Sequence, residues 1–249
     1  APRPQSGMPV VAQQAVITAI GKALDRAIHL QHAQGLLLLG PPGAGKTRLL
    51  AEAERAARQR HGVTQIYRLS CRPGASSALH PLNDWGRDAV AAGSAWPTDT
   101  HASNEGALTT PDRGDISELV ALMDEIPENG HASAVPQVQA VLRQLLVHRA
   151  SLEPCVLLLD ELEFAGDAAW QLLEDLLQEP LPIAVFGTLR SHGTDPSKTE
   201  RTVAPHWQRA ELTPLAPRAS AALIHAALNA PQPLPSLLLD SIFEEAKGN

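Results

Sequence analysis

The segment Gly40-Pro41-Pro42-Gly43-Ala44-Gly45-Lys46-Thr47 constrains this chain more than any other. It is a full match to G-x-x-x-x-G-K-[ST], set between an apolar run at 36–39 and a helical pattern over 47–60. Glycines at these places let backbone N–H groups turn inward as a nest for an anion, and the helix that follows presents its positive end to the same point. Lys46 is placed to reach the β- and γ-phosphates of a nucleotide, and the Thr47 hydroxyl to ligate Mg²⁺. A wholly apolar strand bounded by glycines suits a parallel sheet covered on both faces.

A second stretch completes the chemistry. Val156-Leu157-Leu158-Leu159-Asp160-Glu161 is an apolar strand ending in two acids, the Walker B pattern. Asp160 is expected in the Mg²⁺ shell and Glu161 as the group that orients or deprotonates the attacking water. The same acids also suit a helix N-cap and a first-turn charge, and the two uses are compatible. The strand ending Phe186-Gly187-Thr188-Leu189-Arg190 puts a hydroxyl and an arginine at the carboxyl end of the sheet, where open α/β folds bind ligands. Arg190 there reads as a γ-phosphate sensor, or as a surface arginine in a loop. The candidate site is therefore Lys46, Glu161 and Arg190 for catalysis, with Thr47 and Asp160 for the metal. Gly40, Pro41, Pro42, Gly43, Ala44, Gly45, Lys46, Thr47, Arg48 and Thr188 are expected to hold ATP or ADP.

Other chemistries find little support. The ten histidines are scattered, with only His29 and His32 close in sequence, and no spacing argues for zinc. A G-x-S-x-G nucleophile elbow is missing. Two cysteines, Cys71 and Cys155, are too few for a disulfide framework and read as reduced core residues of a cytoplasmic protein. A net charge of −7 and 3% aromatics disfavour phosphate-backbone binding and base stacking, so direct nucleic-acid binding is not expected. The arginines at 55, 58 and 60 read as a solvated helix face. Apolar runs fall far short of the roughly 20 residues that span a bilayer, so no membrane partner is expected.

Periodicity orders the rest. A helix is predicted over 10–33, strands over 36–39, 63–69, 155–159, 182–188 and 209–212, and helices over 47–60, 81–92, 135–149 and 167–178. The helix at 81 is expected to begin on its proline. Residues 93–114 form a polar insertion, with helical patterning again at 115–126, and 191–206 form a polar loop. Two further helices, 217–228 and 234–246, read as the start of a helical lid. The expected organisation is a tail and leading helix (1–34), an α/β nucleotide-binding domain (35–213) and a partial lid (214–249), the sheet mostly parallel and sandwiched by helices.

With these residues in hand, the chain resembles the AAA-type ATPase module of STAND signal-transduction NTPases, of the kind found in bacterial LuxR- and MalT-like regulators and in cyclase- or kinase-linked relatives. The resemblance rests on GPPGAGKTRLL, LSCRPG with HPLNDW beyond it, VLLLDELEFAGDAAWQLLEDLL, AVFGTLRSHG and AELTPLAPRASAALIHAAL with EEAKGN. It implies a P-loop NTPase fold of AAA+/STAND type. It also implies an ADP-bound resting form that exchanges to ATP on a signal, slow regulatory hydrolysis and nucleotide-dependent oligomerisation, with sensing and output domains outside this stretch. Gly45, Lys46 and Thr47 take the phosphate role, Asp160 and Glu161 the metal and water role, and Arg190 the sensor role. The chain departs from the pattern at Val11-Ala12-Gln13-Gln14, where a Gly-Arg-Glu-like element is usual, and at Glu163-Phe164-Ala165-Gly166, where His-Trp-Ala-Asp is usual. The lid motif stops at Gly248-Asn249 without its proline, so the chain reads as a fragment. Two other readings share these motifs: a DNA-associated AAA+ ATPase of origin-recognition or transposition type, and a scaffold that holds nucleotide without turnover.

Overall fold

A computed structural model describes residues 13–74, 78–91, 135–191 and 205–212, with single positions at 221, 224, 235 and 241. Five strands lie in one sheet: β1 (Gln34–Gly40), β2 (Gln65–Ser70), β3 (Cys155–Asp160), β4 (Ile183–Arg190) and β5 (Trp207–Glu211). Their order is β2-β3-β4-β1-β5, and every pairing is parallel. The continuous helices among the described residues are α1 (Gln14–His29), α2 (Lys46–His61), α3 (Leu82–Ala91), α4 (Val135–Leu152) and α5 (Asp167–Leu176), with a 3₁₀ turn at Leu162–Phe164.

Strand alternation divides the apolar runs between two layers. Leu36, Leu38, Val156, Leu158, Ala184 and Phe186 pack with the buried faces of α1 and α2. Leu37, Leu157, Leu159, Ile183 and Val185 point the other way, into a core with α4 and α5. That double covering is why the strands read as unbroken hydrophobic runs. Cys71 and Cys155 are free and buried, and burial pushes both thiols up to about 12.

The predicted elements are present where they fall on described residues, with shifted ends. The first helix stops at His29, because Gln31 adopts a left-handed φ of 53° that turns the chain into β1. Leu30, inside the predicted helix, is consequently 69% exposed. Pro81 stands ahead of α3 and not within it, and β4 continues two residues beyond its expected end, to Arg190. His29 and His32 do not act together: His32 bonds the Ala33 carbonyl, while His29 faces His61 of α2 with ring centroids 5.6 Å apart. Arg58 pairs with Glu54 at 3.2 Å and Arg55 with Glu52, as on an ordinary solvated helix face. The insertion at 93–114, the pattern at 115–126, most of 191–206 and, single positions apart, the lid helices lie outside the described residues.

A backbone strap ties the segment after β2 to the start of α5. The Gly166 amide donates to the His80 carbonyl at 3.1 Å, and the Ala169 amide to the Ala78 carbonyl at 3.0 Å. His80 closes the strap by accepting the Arg72 amide on Nε2 at 2.9 Å, and burial holds its pKa below the ordinary imidazole value. Gly166 is required here by contact: a Cβ would stand 2.3 Å from the Ala78 oxygen and 2.4 Å from its carbonyl carbon, both backbone atoms. Gly166→Ala is therefore expected to lower stability by about 1–3 kcal/mol, the usual cost of overpacking. A lower urea midpoint at unchanged slope would register it.

Candidate functional site

The parallel register sets the ends of β1 and β4 level, while Asp160 closes β3 at the level of Thr188. Gly40 of β1 lies opposite Arg190 of β4, and Leu159 of β3 opposite Gly187. From β1 the chain enters the glycine loop, in which Gly43 (φ 82°) and Gly45 (φ 85°) take left-handed conformations that L side chains resist. Gly45 caps α2 without a side-chain hydrogen bond, and a Cβ placed there would meet nothing within 4 Å. The loop thus leaves the positive end of a 16-residue helix open to an anion. Pro42, Gly43, Gly45 and Thr47 are exposed at its mouth. Lys46 folds back over the loop, donating to the carbonyls of Gly40 at 2.7 Å and Pro41 at 2.8 Å.

Asp160, the last residue of β3, gathers the neighbouring elements. Its Oδ2 accepts from the Thr47 hydroxyl at 2.8 Å, across 113 residues of sequence. Its Oδ1 accepts from the Thr188 hydroxyl at 2.6 Å and the Glu161 amide at 3.1 Å. That amide also donates to Thr188 Oγ1 at 2.8 Å. Thr188 is fully buried, so its hydroxyl holds Asp160 and the Glu161 backbone from behind. Thr47 and Asp160 together present a hydroxyl and a carboxylate oxygen, the hard donors Mg²⁺ prefers.

Glu161 is in a left-handed conformation at φ 58°, sparsely populated for a non-glycine residue and held here by the two bonds of its amide. Its side chain is paired: Arg190 Nη2 lies 2.6 Å from Glu161 Oε1. Arg190 also sits 2.9 Å from Glu163 through Nε and 5.8 Å from the centre of the Phe164 ring. Among the described residues neither Glu163 oxygen has a hydrogen bond of good geometry, and its carboxylate is balanced by the charge of Arg190. The Glu161 hydrogen bond raises the Arg190 pKa further. Burial lowers that of Lys46, against the opposing pull of Glu163, Asp160 and Glu161.

Most of the candidate residues therefore converge. Arg48 stands apart: its charge acts on Glu52 of the same helix, whose carboxyl is lowered first by Arg55. Glu163, which sequence reasoning treated only as a departure from a motif, is a full member of the charge cluster. Its signal in the sequence was no more than an acid three residues beyond Asp160.

A parallel sheet with a glycine loop feeding a helix, an acid closing the adjoining strand and a hydroxyl on the next is the architecture of a P-loop NTPase. A profile of the AAA ATPase domain matches residues 9–186, and the chain belongs to that family. Among solved structures, a chain of the E. coli MS115-1 HORMA:CdnC:Trip13 complex is similar at a TM-score of 0.54 and 14% identity, covering 94% of this chain and 73% of its own. The Aeropyrum pernix ORC1 protein in complex with DNA is similar at 0.53 and 14%, covering 95% of this chain, which spans 56% of that protein's chain. No curated protein matches the chain by sequence.

Thr188→Val deletes a buried hydroxyl that both donates to Asp160 and accepts from Glu161. Stability is expected to fall by about 1.5–3 kcal/mol, the net contribution of a hydrogen bond to a charged group. Thr188→Ser, which keeps the hydroxyl, is expected to recover most of it. Denaturant unfolding of the three proteins side by side makes the comparison.

Proposed function

We propose that this chain is a nucleotide-operated regulatory ATPase that binds ATP or ADP with Mg²⁺ and hydrolyses ATP slowly. The observation that carries the reading is the Arg190–Glu161 ion pair, in which the arginine suited to sense a γ-phosphate is bonded to the carboxylate suited to activate water. In this reading the loop Gly40 to Gly45, with Lys46, holds the phosphates, and Thr47 and Asp160 hold Mg²⁺, which supplies charge neutralisation at the phosphates when bound. A γ-phosphate competes with Glu161 for Arg190, so the triphosphate both occupies the sensor and frees the base. A diphosphate leaves the pair closed. Such coupling suits a switch of the STAND kind, with residues 35–213 as the nucleotide-binding domain, a lid beyond them, and sensing and output domains elsewhere in a longer protein.

A second reading is a DNA-associated AAA+ ATPase, favoured by the likeness to the DNA-bound ORC1 protein. Against it stand the net charge of −7 and the pairing of Arg55 and Arg58 with acids of their own helix. Turnover that rises on adding duplex DNA would decide for that reading; an unchanged rate decides for the switch.

Three substitutions test the chemistry. Lys46→Ala is expected to abolish measurable ATP and ADP binding in titration calorimetry while circular dichroism shows a folded protein, because the phosphates lose their charged partner. Glu161→Gln is expected to retain nucleotide affinity within a few-fold and to reduce hydrolysis by about a hundredfold or more, the scale of losing a general base. Arg190→Ala is expected to weaken ATP more than ADP, since a γ-phosphate sensor has no partner in the diphosphate. Equal losses for the two nucleotides would reduce Arg190 to a structural role.

A further inference from the structure

At the far end of α2 from the phosphate loop, about 24 Å along a helix of this length, a second cluster forms that the nucleotide chemistry does not use. Asp25 and His29 are four residues apart on α1 and so share one helix face. His61 is the last residue of α2, which packs against α1. One ligand atom from each of the three residues lies within 4.8 Å of the other two. The His61 side chain is 8% exposed and fixed by packing, whereas Asp25 is 62% exposed and free to adjust.

The spacing of this ion pair also suits a metal site. His61 Nε2 stands 3.5 Å from Asp25 Oδ1, which is long for a hydrogen bond. Bonds of about 2.0–2.1 Å in a tetrahedron separate neighbouring ligands by roughly 3.3 Å, so these two atoms already stand at ligand spacing. His29 is exposed, its ring tilted 58° to that of His61, and one of its nitrogens lies within 4.8 Å of both other ligand atoms. Helix direction adds to this. His29 and His61 each end their helix, so the negative ends of two dipoles converge beside one carboxylate. Two imidazoles with one carboxylate, and a fourth position facing solvent, match the donor set zinc accepts and the hard Mg²⁺ ion does not favour.

We propose that Asp25, His29 and His61 bind a divalent transition-metal ion of the zinc class, clasping the C-terminal end of α1 to that of α2. The ion bridges two packed helices, one leading into β1 and the other leading out of the phosphate loop. It acts as a structural clasp and takes no part in phosphoryl transfer.

Zinc titration of the whole chain by calorimetry, with Mg²⁺ in excess to saturate Thr47 and Asp160, tests the assignment. One equivalent of Zn²⁺ is expected to bind and to raise the melting temperature. Because His61 is buried and its loss threatens folding, the diagnostic variants are His29→Ala and Asp25→Ala, both at exposed positions. Each is expected to weaken Zn²⁺ binding by about tenfold or more, since even partners behind the ligands cost that much, and to abolish the thermal shift. Asp160→Asn is expected to leave Zn²⁺ binding intact. Wild-type protein that binds no zinc, variants that bind it as wild type does, or a loss that follows Asp160→Asn would each overturn the proposal.

Discussion

The carboxylate of Asp160 is the point on which the site depends. It accepts from Thr47 at the start of α2, from Thr188 in β4 and from the amide that follows its own strand. Hydrogen bonds to an ionised acceptor are roughly twice as strong as neutral ones. A carboxylate also has capacity for several donors at once. One side chain at one strand end thereby sets α2, β4 and the backbone of Glu161 in fixed relation. The sheet register supplies the condition for this, because it sets Asp160 at the end of β3 level with Thr188 of the neighbouring strand.

Both cations of the site are engaged by the protein itself. Lys46 bonds two carbonyls of its own loop, and Arg190 bonds Glu161 while neutralising Glu163. Binding a phosphate is accordingly an exchange of acceptors, and affinity reflects the difference between the two sets of partners.

How far this was legible in the sequence follows from the range of each interaction. The loop from Gly40 to Thr47 and the acids Asp160 and Glu161 are local patterns whose chemistry is tied to their spacing, and the apolar strands announce a doubly covered sheet. What escaped depended on the third dimension. The left-handed turn at Gln31 ended a helix that periodicity carried onward and put Leu30 into solvent. Gly166 looked like a lapse from a motif until the Ala78 backbone was seen against it. Glu163 and the pairing of His29 with His61 arise from packing between segments, which spacing along the chain does not encode.

The position of β1 in the sheet has a dynamic consequence. It is hydrogen-bonded on both sides, to β4 and β5, while β4 and β3 are likewise flanked on both edges. Amides in such strands exchange with solvent only when the whole sheet opens, at a free energy close to that of global unfolding. The strands that carry Gly40, Asp160 and Thr188 are therefore expected among the slowest-exchanging parts of the described fold. Whatever the site registers is registered by side chains moving at the ends of strands that themselves stay closed.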